Sequence, residues 1–245
     1  MLRSLLVINP NTSQSVSALL QAHTQAAAGP GVQVRTVTAR FGAPYIACEA
    51  SYAVAAHATL DAWAAALAGD TAAPDAVLIG CFGDPGLLAL RQTSAAPVTG
   101  LAEAAFTEAA AHGQFAIVTG GERWKPMLAR LAHDLGFGDA LAGINTVQPT
   151  GAQLAADPAA ARVLLAQACQ DAAQQFGVQA VILGGAGLAG MAAAIQPQVG
   201  VPVIDSVLAG VRYALNTSST HPGATGRFDV AWQGVSPELM RLGKL

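Results

Sequence analysis

The chain moves between two hydrophobic rhythms. Leu5 to Ile8, Ala76 to Gly80, Phe115 to Thr119 and Val181 to Gly184 are almost wholly apolar runs of strand length. Strands with no polar face are buried on both sides, as in a parallel sheet covered by helices. Between them lie stretches with helical spacing: from Thr12 or Ser13 to about Ala27, Ser51 to Leu67, Glu122 to Leu135, and Asp157 to Phe176. Val32 to Val37 alternates like a strand, and Asn145 to Val147 is a further short one. Thr12 or Ser13 is placed to cap the first helix, while Asp84-Pro85 and Asp157-Pro158 each read as a cap followed by proline at the first helical position. Gly29-Pro30-Gly31 is a turn, and Phe41 to Glu49, with Gly42 and Pro44, is a loop suited to covering a site. After Leu215 the segment NTSSTHPGATGRFDVAWQG loses helical spacing and reads as a tail, flexible or draped on the surface.

Alternation of strands and helices predicts an α/β fold with parallel sheets joined by right-handed crossovers. Ligands in such folds bind beyond the carboxyl ends of the strands. Here those ends open into loops beginning at Asn9, Cys81, Thr119 and Gly185.

The pattern also repeats. AVLIGCFGDPGLLA, from Ala76, aligns without a gap with AVILGGAGLAGMAA, from Ala180, at an offset of 104 residues. PVTGLAEAAFTEA, from Pro97, aligns with PVIDSVLAGVRYA, from Pro202, at 105, and LLVINPNTS, from Leu5, with FAIVTGGER, from Phe115, at 110. Three matches in the same order predict two related, pseudo-symmetric lobes, each a parallel sheet flanked by helices, with a site in the cleft between them. The expected division is residues 1–98 with 206–215, residues 99–205, and a C-terminal tail of 216–245.

Composition narrows the function. With 245 residues the chain can bury a sizeable core. Hydrophobic residues make up 53% and charged ones 11%, but alanine supplies much of the apolar count and no window is apolar enough for a spanning helix. The N-terminus turns polar by Asn9 and lacks the apolar length of a signal peptide. A net charge of −3 without a basic run argues against nucleic acid or anionic membranes as partners. Cys48, Cys81 and Cys169 show no metal-ligand spacing, so neither a disulfide framework nor a zinc site is expected, and a reducing cytoplasm is the default location. The expected partner is a small-molecule substrate, with self-association left open.

Cys81 ends a buried strand just before a helix, where backbone N–H groups favour a thiolate; a small residue packed at a strand end reads equally well. Cys169 lies within a helix and reads as core, and Cys48 as a structural residue of the covering loop. Asn9-Pro10-Asn11-Thr12 puts two amides around a proline at a strand end, where they can grip a carbonyl or carboxylate. Thr119-Gly120-Gly121 holds the matching place in the second half, and paired glycines let backbone approach a ligand. No glycine cluster fits a nucleotide-binding fingerprint, and the five histidines are scattered.

INPNTS (Ile8 to Ser13), CFGDPGL (Cys81 to Leu87), PVTGLAEAA after Pro97 and PVID (Pro202 to Asp205) resemble the hydantoin racemase branch of the aspartate/glutamate racemase superfamily over about residues 3–215. The resemblance implies a cofactor-independent enzyme in which two cysteines on opposite faces of the substrate remove and return an α-proton. Cys81 corresponds to the first-lobe cysteine. The second-lobe pattern, GCAGM or similar, is here Gly184-Gly185-Ala186-Gly187-Leu188, so the second thiol is replaced by Gly185. The expected site is then Cys81 as acid/base, with Asn11, Pro10, Thr119, Gly120 and the amides near Phe82, Gly83, Gly185 and Ala186 around the substrate's oxygens. One-cysteine relatives resembling arylmalonate decarboxylase supply an alternative, a decarboxylase or isomerase, although they keep the opposite cysteine. A binding protein that has lost turnover is the other.

Overall fold

The computed structural model describes residues 3–69, 73–148, 153–154, 157–217, 228 and 230–243. Strands β1 (Arg3–Asn9), β2 (Val32–Thr38), β3 (Ala76–Ile79) and β4 (Val98–Gly100) form one parallel sheet in the order β2-β1-β3-β4. Strands β5 (Phe115–Gly120), β6 (Leu141–Val147), β7 (Ala180–Gly184) and β8 (Val203–Asp205) form a second in the order β6-β5-β7-β8. The chain forms two compact units: residues 1–80, 84–100 and 211–245, and residues 81–83 with 101–210.

The duplication holds at the level of register. Leu5 pairs with Ala76 in the first sheet, and Phe115, its counterpart 110 residues on, pairs with Ala180, the counterpart of Ala76. Val77 pairs with Val98, and their counterparts Val181 and Val203 pair with each other. Every residue of β3 and β7 is buried, which is why both read as unbroken apolar runs.

Helices α1 (Gln14–Ala28), α2 (Glu49–Gly69), α3 (Leu87–Thr93), α4 (Leu101–Ala110), α5 (Trp124–Asp134), α6 (Pro158–Phe176), α7 (Met191–Ile195) and α8 (Ser206–Asn216) follow the strands. Ser13 caps α1 by accepting from the Val16 N–H, and Asp157 caps α6 by accepting from Ala160 with Pro158 in the first turn. The Asp84-Pro85 pair behaves differently from the expected cap. Helix α3 starts at Leu87 after Gly86 in the left-handed region (φ 85°), with no side-chain cap. Asp84 itself has φ 51°, and its buried side chain lies over Gly100, where an added Cβ would stand 2.1 Å from the carboxyl carbon. The second unit keeps the turn: Gly190, the counterpart of Gly86, has φ 80° and precedes α7. There the carboxylate comes from the strand end instead. Asp205, the counterpart of Gly100, accepts from the N–H groups of Val207, Leu208 and Gly190.

β6 starts earlier than the expected Asn145. Gly143 weakens the strand pattern, but it admits the Phe176 ring of α6, which would stand 2.3 Å from a Cβ there. The far C-terminal segment is also more regular than its spacing suggested. Helix α9 (Pro237–Leu242), capped by Ser236, packs on α2. Arg40 clasps Asp61 of α2 with two hydrogen bonds of 2.9 and 2.8 Å and reaches Glu238 of α9 at 3.2 Å. The Phe228 ring stands edge-on to Trp63, 6.2 Å between centroids. Residues 218–227 of the expected tail lie outside the described residues.

Candidate active site

In the first unit, β1 delivers a polar knot at its carboxyl end. Asn9 is fully buried, and its Nδ2 donates to Asn11 Oδ1 (3.0 Å), Ser13 O (3.1 Å) and Ser17 Oγ (2.9 Å). Asn9 Oδ1 in turn accepts the Asn11 N–H (3.2 Å), and Asn11 Oδ1 accepts the Ser13 N–H (2.9 Å). These bonds fix which end of the Asn11 amide is oxygen. Its Nδ2 donates to none of the described residues, which leaves a rigidly held donor for a ligand. Pro10, buried, stiffens the turn between the two asparagines. The loop behind it is tied down by the Thr12 N–H donating to Ala43 O at 3.1 Å.

The second unit holds the other expected residues. Cys81 follows β3 and is nearly buried, 9% exposed, against 0% for Cys169 in the α6 core. Burial pushes the Cys169 thiol up to about 12, so it stays protonated and inert. Cys48 holds the entry to α2, its Sγ 3.5 Å from Ser51 Oγ. Phe82 carries the loop of Cys81 onto the loop of Gly185: its ring would stand 2.2 Å from a Cβ at Gly184, so only glycine fits there. Gly83 does the same for the Trp124 ring, 2.5 Å from a Cβ at that place. Thr119 donates to Gly184 O (2.8 Å), tying β5 to β7, so its hydroxyl proton is committed to the fold. Gly120 is buried at the end of β5, and the N–H of the next residue, Gly121, donates to Val147 O.

The backbone amides divide sharply. The Gly83 N–H donates to Cys81 O (3.0 Å), and the Gly185 N–H donates to Ser206 Oγ (3.2 Å). The N–H groups of Phe82 and Ala186 have no acceptor among the described residues. They are equivalent positions in the repeat, one residue past Cys81 and one past Gly185. Gly185 adopts φ 144°, ψ 135°, a conformation that side-chain-bearing residues rarely take, and the nearest atoms to an added Cβ belong to Leu188 at 3.6 Å. A Cβ at this position meets only ordinary contact, but the backbone conformation is one that favours glycine.

Ser206 carries no signal in the sequence, Asp205 stands there only as the end of the PVID motif, and Asn9 only as one of the two amides flanking Pro10.

Residues 5–214 match the family described as Asp/Glu/Hydantoin racemase. The chain is 31% identical over 209 residues to the hydantoin racemase of Pseudomonas sp. (strain NS671), covering 85% of this chain and 83% of that one. It is 32% identical over 211 residues to that of Paenarthrobacter aurescens, covering 86% and 89%. Among solved structures, the allantoin racemase from Klebsiella pneumoniae superposes with a TM-score of 0.85 at 30% identity, over 99% of this chain and 100% of that one. The duplicated sheets, the shared turn after β3 and β7 and the extent of these matches lead to one conclusion: the chain belongs to the Asp/Glu/hydantoin racemase family.

Proposed function

We propose that this protein is a cofactor-independent racemase-family enzyme that works a hydantoin-like or amino-acid-derived substrate with a single thiol. The observation that carries the reading is the pairing of Cys81 with two unengaged amides, Phe82 and Ala186, one at each copy of the duplicated loop. The Cys81 thiolate takes the proton from the carbon next to the substrate's carbonyl; the C–H bond breaks, S–H forms, and the electron pair moves to the carbonyl oxygen as an enolate. Donors already in place stabilise that charge without reorganising. The Phe82 and Ala186 N–H groups suit this role; in the first unit, Asn11 Nδ2 is separately held as a donor for a ligand. The thiol then returns a proton to the carbon, and the pair collapses back to the carbonyl. Pro10, Gly83, Thr119, Gly120 and Gly185 shape these loops rather than donate.

With Gly185 in place of a second thiol, proton exchange at the reacting carbon outruns inversion, because one positioned acid serves one face. The decarboxylase alternative draws less support, since the relatives reported above at about this identity are described as racemases. The test is proton NMR in D₂O with a panel of 5-substituted hydantoins and allantoin. Loss of the reacting proton signal in the parent, abolished in Cys81→Ala, supports the reading. Exchange that survives the substitution assigns the chemistry to another group.

A further inference from the structure

The Ser206 side chain grips the position that matches Cys81 in the repeat. It is 1% exposed at the start of α8, and its Oγ accepts the Gly185 N–H at 3.2 Å. Its neighbour Asp205 holds the far end of the same loop through the Gly190 N–H at 2.7 Å, while its other oxygen accepts from Val207 and Leu208. Loop 185–190 is therefore clamped at both ends by two consecutive residues, and both clamped residues are glycines at positive φ. In the first copy the repeat partners of Asp205 and Ser206 are Gly100 and Leu101, neither of which carries a side-chain oxygen. The hydroxyl occurs only in the half that lacks the thiol.

We propose that Ser206 is a positioning residue that holds Gly185 in its glycine-only conformation and so presents the next amide, Ala186 N–H, to the substrate. This rests on the reading of Ala186 as an enolate donor. Without the hydroxyl, a part-buried N–H loses its acceptor, and the loop has reason to rotate until water or another oxygen satisfies it. A donor misaimed by such a rotation stabilises the transition state less than it stabilises bound substrate, so the loss falls on kcat more than on KM.

The experiment compares the parent, Ser206→Ala and Ser206→Thr by amide hydrogen exchange and by substrate exchange kinetics in D₂O. In Ser206→Ala, amide exchange within 185–190 speeds up about tenfold while β5 and β7 stay protected, and kcat falls about tenfold with KM within about twofold. Ser206→Thr, which keeps the hydroxyl, restores both. Unchanged protection of the loop in Ser206→Ala overturns the proposal, as does a freed loop with unchanged kcat. If the parent exchanges no hydantoin at all, the functional reading fails separately. Loop protection alone then judges the clamp, with faster exchange confined to 185–190 supporting it and unchanged exchange overturning it.

Discussion

At the scale of single residues, two equivalent positions have parted in both chemistry and backbone. Cys81 retains a thiol outside the left-handed region, whereas Gly185 sits at φ 144°. Replacing Cys81 by alanine removes one buried sulfur, so the expected outcome is a folded protein whose substrate exchange drops by about 10²-fold or more; thermal melting and D₂O kinetics on the same sample check both halves. Alkylation of the native protein should leave Cys169 untouched, since its thiol is buried and pushed up to about 12; peptide mass spectrometry reads this directly. Asn11→Asp keeps the acceptor oxygen that Asn9 and Ser13 use but replaces the outward donor with an oxygen. It should lower kcat/KM about tenfold or more while the fold survives, because the donor held ready for a ligand is lost and an anion stands in its place. Cys81 and Asn11 stand out in the sequence as candidates because each lies at or just past the end of an apolar run. Ser206 does not, because its role depends on a partner 21 residues away and on a backbone conformation that no residue pattern announces.

At the scale of elements, the loop after β7 and helix α9 make opposite points. The Cβ of Gly185→Cys meets only ordinary contact with Leu188, yet the residue must adopt a strained backbone or break the bond to Ser206; about 1–3 kcal/mol of destabilisation is expected from urea denaturation. Failure of that variant to regain inversion would then trace to a misplaced sulfur rather than to a clash. Helix α9 is held electrostatically. Burial alone pushes the Asp61 carboxyl up, but hydrogen bonds from Arg40 and Ser236 outweigh it and leave it below its usual 3.8. A depressed carboxylate stabilises the fold above its unfolded value and loses that contribution as pH falls through its folded one. Asp61→Asn should therefore be less stable than the parent at pH 7, by about 1–3 kcal/mol, and the gap in urea midpoints should close below pH 3.8. Alternation of strand and helix was readable throughout. Helix α9 was missed because six residues are too few to show a helical period, and what fixes it is a guanidinium contributed 198 residues earlier. The Asp84-Pro85 cap was misread because its carboxylate folds back over Gly100 rather than forward onto α3.

At the scale of the whole molecule, the chain is one α/β unit written twice, with matching strand orders and matching registers. Duplication was visible in the sequence because buried parallel strands tolerate so few residue types that their copies stay alike. The proposed function rests on the differences between the copies: a thiol against a glycine, an asparagine against a glycine, a leucine against a serine. No helix among the described residues is long and apolar enough to cross a membrane. The most direct test of the single-thiol claim follows the reacting C–H of one enantiomer of a hydantoin substrate in D₂O, by proton NMR for exchange and polarimetry for inversion, in the parent and in Cys81→Ala. The account predicts exchange that clearly outruns inversion in the parent and neither process in the variant. Inversion as fast as exchange in the parent would contradict it, and so would exchange that persists without Cys81.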